Sequence, residues 1–340
     1  MDFSTPILSR KWIEFQGNKE NFGTNPFTLL TWNTLADGLA QDGGFNVENK
    51  RCLDWDFRCP KIFAEINSIS ADIICLQEVN RIEIFATTFK DYAMIYAPKL
   101  DSAALNSNCT PDGCVLLLRR TRFEIIEIFV HYLKNINQST LSNQNAIFVV
   151  VKDLIENKKI IVVTTHLKAK NGKENELLRN AQIDEILTLL EAFKSNYSDD
   201  IPVILCGDFN SSPNEPCYFT ILESMFDFMS IYNKMDRFKC FSNCQRNLKD
   251  SLLLYASEEP LFTTWKFRDD GKEKIATIDY IFLSRSKLLV PYELLELPTK
   301  LQIGPSGLPC ELYPSDHIAL SAKFYWKELE KGVSSSSGSI

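Results

Sequence analysis

Short apolar runs that stop on polar residues recur along this chain, and they set its reading. Phe27-Thr28-Leu29-Leu30-Thr31-Trp32 is rich in β-formers and ends at Asn33, where a loop containing Asp42-Gly43-Gly44 begins. Asp72-Ile73-Ile74-Cys75-Leu76 is a second run and ends on Gln77-Glu78. Extended segments are expected at 92–97, 114–118 and 123–130. The stretches 146–151 and 160–165 pair across the turn Glu156-Asn157-Lys158, and the second delivers His166. Val203 to Cys206 stops on Gly207-Asp208-Phe209-Asn210. Strands are expected again at 263–267, at 278–283 with Asp279 inside it, and at 318–325, just after Ser315-Asp316-His317. Apolar runs of this length, bounded by turn residues, are the habit of buried strands.

Helical spacing appears between them. Ile62, Ile66 and Ile69 predict a helix over 58–69, and a second is expected over 83–91. The longest, 173–193, puts Leu178, Ala181, Ile186, Leu189, Leu190 and Phe193 on one broad face. A further helix is expected over 214–228. Residues 1–26 lack periodicity and read as an arm; 232–257 read as an exposed insertion, and the Ser-rich end, 328–340, as a disordered tail. Strands and helices thus alternate through 27–327 in two halves. That pattern predicts an α/β domain, two mixed sheets packed face to face with helices outside, with strand ends from both halves at one rim.

Charge and cysteine usage narrow the partners. The net charge of −7 argues against a non-specific binder of long nucleic acid, although it leaves room for a local basic pocket. The ten cysteines are scattered, and Cys75 and Cys206 sit inside apolar runs, as reduced thiols of a cytosolic protein do. Cys240 and Cys244 form the nearest pair, with no histidine or second pair beside them to complete a zinc site. No stretch reaches the roughly 18 apolar residues of a membrane span. The N-terminus has no signal-peptide core, so the cytosol is the expected location, with a mitochondrial isoform as the alternative; separately, a monomer is expected.

The chemistry-bearing residues fall at the strand ends: Asn33, Glu78, His166, Asp208, Asn210, Asp279, Asp316 and His317. Each alone reads as a cap or turn residue. Two of the chain's three histidines sharing that setting with several carboxylates read as a site; His131, between Val130 and Tyr132, reads as structural. These residue types suit hydrolysis at phosphorus, whose transition state spreads negative charge over phosphoryl oxygens. A hard cation such as Mg²⁺ takes one or two carboxylates and keeps waters, so Glu78 is the candidate anchor. Asp208 is placed to activate water, with Asn210 beside it. Asp279 and His317 are a candidate carboxylate–imidazolium pair.

Trp32-Asn33, Leu76-Gln77-Glu78, Thr165-His166-Leu167, Gly207-Asp208-Phe209-Asn210, Ile278-Asp279-Tyr280 and Ser315-Asp316-His317 resemble, in order, the motifs of the endonuclease/exonuclease/phosphatase superfamily. The resemblance covers about 27–325. It implies a four-layer α/β sandwich and a Mg²⁺-dependent phosphoesterase, with Glu78 on the metal, Asp208 activating water and Asn33 and Asn210 on phosphate or metal. It further implies that Asp279 orients His317 and that His166 binds the scissile phosphate. Pro111-Asp112-Gly113-Cys114, His166-Leu167-Lys168-Ala169-Lys170, Thr263-Thr264-Trp265-Lys266-Phe267-Arg268 and Tyr313-Pro314-Ser315-Asp316-His317 are similar to the deadenylase-like branch. Within it they resemble most the phosphatases that remove the 2′-phosphate of NADP⁺ and NADPH. That likeness would place Lys99, Asn143, Lys168, Lys170 and Arg268 around the substrate. A poly(A) 3′-exonuclease is the alternative within the fold, and an inactive binding scaffold the alternative outside catalysis. Those phosphatases usually carry Arg where this chain has Lys170, and lysine lacks the planar fork for bidentate phosphate contacts.

Overall fold

The computed structural model describes residues 7–15, 24–102, 105, 110–136, 140–235 and 250–327. Its first sheet runs, in spatial order, through Trp12–Glu14 (β1), Leu289–Leu295 (β14), Leu320–Trp326 (β15), Phe27–Asn33 (β2), Ile73–Val79 (β3), Gly113–Arg119 (β5) and Tyr92–Pro98 (β4). The second runs through Phe228–Ser230 (β10), Asp279–Ser284 (β13), Val203–Asp208 (β9), Lys158–His166 (β8), Leu141–Asp153 (β7) and Phe123–Lys134 (β6). Thr264–Phe267 (β11) and Glu273–Ala276 (β12) form a separate hairpin. In each sheet one central pair is parallel, β2 with β3 and β8 with β9, and the other neighbours are antiparallel.

Period-two alternation explains the layering. Leu29, Ile73, Cys75, Val149, Val162, Ile204 and Cys206 point between the sheets. Their neighbours Leu30, Trp32, Ile74 and Leu76 point outward under Ile62, Phe63 and Ile66 of α2 (Trp55–Ile69) and Phe85 of α3 (Ile82–Thr88). Phe148, Val150, Ile161 and Val163 do the same beneath α4 (Lys173–Lys194) and α5 (Pro216–Glu223). A strand covered on both faces must be apolar at consecutive positions, which is why these runs stand out in the sequence. The four expected layers, helix–sheet–sheet–helix, are all present.

Several expectations need correction. The arm is not loose where it is described: β1 pairs antiparallel with β14, and Leu8 and Phe15 are buried. The helix expected over 214–228 stops at Glu223; Asp227 takes a left-handed φ of 46° and the chain returns as β10 against β13. The expected exposed insertion is anchored at both ends, because Tyr232, Asn233, Tyr255 and Ala256 are buried and 250–257 is helical. Its middle, with Cys240 and Cys244, lies outside the described residues, as does the tail 328–340. On α4 the buried stripe is Arg179, Gln182, Ile183, Ile186, Leu190 and Phe193, whereas Leu178, Ala181 and Leu189 are half-buried. The rotation follows from polar work: Arg179 and Gln182 turn inward to bond the loop after β8.

Gly207 shows how tightly β9 is held. Its φ is 140°, and a Cβ there would lie 2.0 Å from the carbonyl oxygen of Thr165 on β8. Gly207→Ala is expected to cost about 3 kcal/mol or more through strain and clash, read as a lower denaturant midpoint at unchanged m-value.

Candidate active site

The carboxyl ends of the two parallel pairs meet across the sandwich. In open α/β sheets this is where ligand crevices form. Register sets the lateral order: His166 lies opposite Asp208, and Asp208 opposite Asp279, on three adjacent strands of the second sheet. From the first sheet Asn33 reaches over, and its Nδ2 donates to Asp208 Oδ2 at 2.9 Å. Beneath it Gln77 Nε2 spans the sheets to Thr31 and Thr164 hydroxyls.

Asp208 is the hub. Its Oδ2 lies 3.5 Å from His166 Nε2 and 3.8 Å from His317 Nδ1, and its Oδ1 accepts the Asn210 amide at 2.9 Å. Asn210 holds a left-handed φ of 50° and ties its side-chain amide to Leu167 O. Burial, reinforced by the charge of Asp279, raises the Asp208 pKa above the ordinary carboxylate value, which favours a group that collects a proton.

His317 is the cation of the cluster. Its Nδ1 faces Asp279 Oδ2 at 2.9 Å, while Thr263 Oγ1 donates to that same oxygen at 2.6 Å. Burial works against an imidazolium, yet Asp279, Asp208 and Asp316 together raise its pKa to about 9. The loop carrying it is clamped at the backbone. Ser315 Oγ donates to Asn33 O and accepts the His317 amide, and Trp32 Nε1 donates to His317 O. Because the folded pKa is raised, the stability contributed by this proton is full below about pH 6.5 and lost as pH climbs through about 9. His166 is the opposite case: burial outweighs Asp208 and lowers its pKa to about 4, so its ring is neutral.

Glu78 comes from the first sheet. The β3–β5 register shifts between Leu76 and Val79, and Glu78 sits in that irregularity with φ 55°. Bulges of this kind re-aim a side chain beside a site. The carboxylate is half-buried and accepts the Ala36 amide at 3.2 Å, but it has no ion-pair partner among the described residues. Other buried carboxylates here are neutralised: Asp316 by Lys266, Asp112 by Lys99, Asp279 by His317. A carboxylate with the Lys99 and Arg58 charges nearby but no direct ion pair among the described residues suits a hard divalent cation. Asp208, Asp279 and His317 also have ligand atoms within 4.8 Å of one another. There the protonated imidazole already supplies the positive charge, so that trio is read as a proton-handling cluster.

Among the expected substrate contacts, Lys99 lies at the site. Burial opposes its charge, but Asp112 at 2.6 Å and Glu78 hold its pKa above the ordinary lysine value. Lys168 and Lys170 follow His166; their carbonyls are held by Arg179 Nη1 and their ammonium groups have no partner among the described residues. Arg268 stacks on Phe45 with 4.0 Å from guanidinium carbon to ring centre and donates to Gly43 O. Asn143 is engaged at both ends by the Asp101 backbone: its Oδ1 accepts the Asp101 amide and its Nδ2 donates to Asp101 O. His131 pairs with Glu185 of α4, a structural role as expected. Sequence reasoning missed Lys266, which holds Asp316, and Arg58, which is wholly buried and donates to Thr34, Leu35 and Pro314 carbonyls behind the site. Lys266 lies on β11, two residues before Arg268, and that nearness in sequence was the available signal.

A profile described as the Endonuclease/Exonuclease/phosphatase family matches residues 30–317, from β2 through the Ser-Asp-His motif. The chain belongs to the endonuclease/exonuclease/phosphatase family. Within this family it is 34% identical to nocturnin of Drosophila melanogaster over 304 residues, 87% of this chain and 46% of that protein. It is 31% identical to nocturnin of Xenopus laevis, over 94% of this chain and 78% of that one. The Ccr4 subunit of Saccharomyces cerevisiae, a CCR4-Not complex 3′-5′-exoribonuclease, is 27% identical over 95% of this chain and 42% of its own length. The chain thus spans less than half of the fly and yeast proteins. The solved catalytic domain of human nocturnin with bound sulfate superposes with a TM-score of 0.70 at 26% identity, over 95% of this chain and all of that one. This is a hydrolase of the endonuclease/exonuclease/phosphatase family.

Asp279→Asn is expected to lower kcat by about 10²–10⁴-fold. It should also move the high-pH limb of turnover from about 9 toward the ordinary histidine range. A pH–rate profile of the variant against the parent protein checks both.

Proposed function

We propose that this protein is a Mg²⁺-dependent phosphatase that removes the 2′-phosphate from NADP⁺ and NADPH, giving NAD⁺ and NADH. One observation carries the reading: an acidic chain sets Lys99, Lys266 and Arg268 among the carboxylates of a single strand-end cluster, with Lys168 and Lys170 following His166 in sequence. A compact, densely charged anion with three phosphates suits that distribution, whereas a long polyanion would call for a basic track and stacking aromatics. The likeness to nocturnins supports the same choice.

In this reading Glu78 would hold the Mg²⁺, which would supply charge neutralisation at the phosphoryl oxygens. Asn33 and Asn210 keep the Asp208 carboxylate turned toward the attacking water, and Asp208 takes a proton from that water. The new bond forms between water oxygen and phosphorus as the bond from phosphorus to the ribose 2′-oxygen breaks, and that oxygen takes a proton from solvent to leave as the hydroxyl. His317, charged and braced by Asp279, faces the growing negative charge, and neutral His166 donates to a phosphoryl oxygen. Asp316 keeps Lys266 oriented at the same mouth; its own pKa is held low by Lys266 and His317 in spite of burial, so it acts as a fixed charge and does not shuttle protons. Lys168 and Lys170, whose ammonium groups have no partner among the described residues, meet the remaining phosphates, and the cytosol is the proposed location.

A second reading is a poly(A) 3′-exonuclease, favoured by the 27% identity to yeast Ccr4 across nearly the whole chain. One paired assay separates the two. Phosphate release from NADPH in Mg²⁺ with oligo(A) left intact is the expected result; shortened oligo(A) beside untouched NADPH would install the second reading. Lys168→Ala with Lys170→Ala is expected to raise KM for NADP⁺ by about tenfold or more with kcat little changed, the mark of contacts made equally in ground and transition states. Steady-state kinetics of the double variant checks this.

A further inference from the structure

A buried ion pair on the far side of the first sheet is joined to the reacting groups through one short loop. Arg10 precedes β1; its side chain is 3% exposed and that of its partner Glu65, on α2, is 2% exposed. Arg10 Nη2 pairs with Glu65 Oε1, and Nη1 donates to Ala319 O at 2.8 Å. The same Glu65 oxygen accepts the Tyr313 hydroxyl at 3.2 Å, and that hydroxyl accepts the Ala319 amide at 2.9 Å. Arg10, Glu65 and Tyr313 therefore grip both backbone groups of Ala319, two residues beyond His317. From the other side Trp32 bonds His317 O while its ring lies 5.6 Å from that of Tyr313.

The pair is not what attaches the N-terminal segment. That segment is held by the β1–β14 ladder, by Phe15 N to Tyr292 O and Glu296 N to Lys11 O, and by buried Leu8 and Phe15. Desolvating two ions costs several kcal/mol, and an apolar pair of similar size often packs as well or better. A charged pair in this place therefore calls for a role other than adhesion, and its directional bonds all converge on residues 313–319.

We infer that Arg10 is a positioning residue for the reaction: acting through Glu65, Tyr313 and Ala319, it fixes the loop that presents Asp316 and His317, and so sets how the imidazole meets Asp279. This rests on the assignment of His317 under the proposed phosphatase activity.

The test combines Arg10→Met with Glu65→Gln, which removes both charges together and leaves Tyr313 a partner. Phosphate release from NADPH and thermal unfolding are measured with His317 intact and in a His317→Gln background. The expected result is a protein folded at assay temperature whose kcat falls about tenfold while KM stays within about twofold, with little further loss in the His317→Gln background, because changes acting through one interaction do not add. Tyr313→Phe, which deletes only the bridging hydroxyl, should give the same kcat-only loss to a smaller extent, and it decides the matter if the charge-removing pair does not fold. Undiminished kcat in a folded variant, or equal losses in both backgrounds, would overturn the inference while leaving the phosphatase reading intact. If His317→Gln alone left turnover unchanged, the site assignment and this inference would fall together.

Discussion

His317 keeps a positive charge where burial would ordinarily strip it, and the arrangement that allows this constrains much of the molecule. Asp279, Asp208 and Asp316 come from two strands and a loop, and each lies within 4 Å of the ring. Removing one partner of such a buried set leaves an unpaired charge, at a cost of about 3–5 kcal/mol. The cluster therefore holds only if every contributing backbone is fixed. Thr263, Thr264, Ser315 and Trp32 supply that fixing through bonds to the side chain or backbone of Asp279, Asp316 and His317. The balance also assigns proton affinities: Lys266 satisfies Asp316, His317 satisfies Asp279, and Asp208 is left with the raised pKa.

The double sandwich is the frame that brings these segments together. Each sheet contributes one parallel pair, and the carboxyl ends of both pairs open on the same mouth. Antiparallel β13 then enters beside β9 so that Asp279 falls level with Asp208. Lys99, Lys266 and Arg268 stand among these carboxylates against the overall charge of the chain, and Lys168 and Lys170 follow His166 in sequence, but the five are not equivalent. Lys99 and Lys266 are committed to carboxylates and Arg268 to a carbonyl and a ring, whereas Lys168 and Lys170 carry ammonium groups with no partner among the described residues. Substrate binding is thus expected to draw most on the loop after β8, whose backbone Arg179 and Gln182 hold from α4.

Much of this was legible from residues alone, for a physical reason. Strands buried on both faces are apolar at every position, so the point where Cys206 gives way to Gly207-Asp208, or Leu76 to Gln77-Glu78, is conspicuous. What stayed hidden depends on distant partners. β1 is only three residues long, too short for any alternation to show, and is held beside β14, which is itself disguised by Pro291. The buried face of α4 was misjudged because Arg179 and Gln182 are polar residues doing interior work. The Lys266–Asp316 and Arg10–Glu65 pairs span 50 and 55 residues, and no periodicity announces them. Asn143 also bonds a distant partner, the Asp101 backbone, a loop contact that no periodicity announces.

The most direct test of the account is the ionisation of a single ring. An NMR titration of the His317 imidazole, assigned by its loss in His317→Gln, should show a protonated ring at pH 8 that loses its proton near 9. A ring already neutral at pH 7 would contradict the carboxylate cluster as the source of its charge, and with it the mechanism built on that cluster.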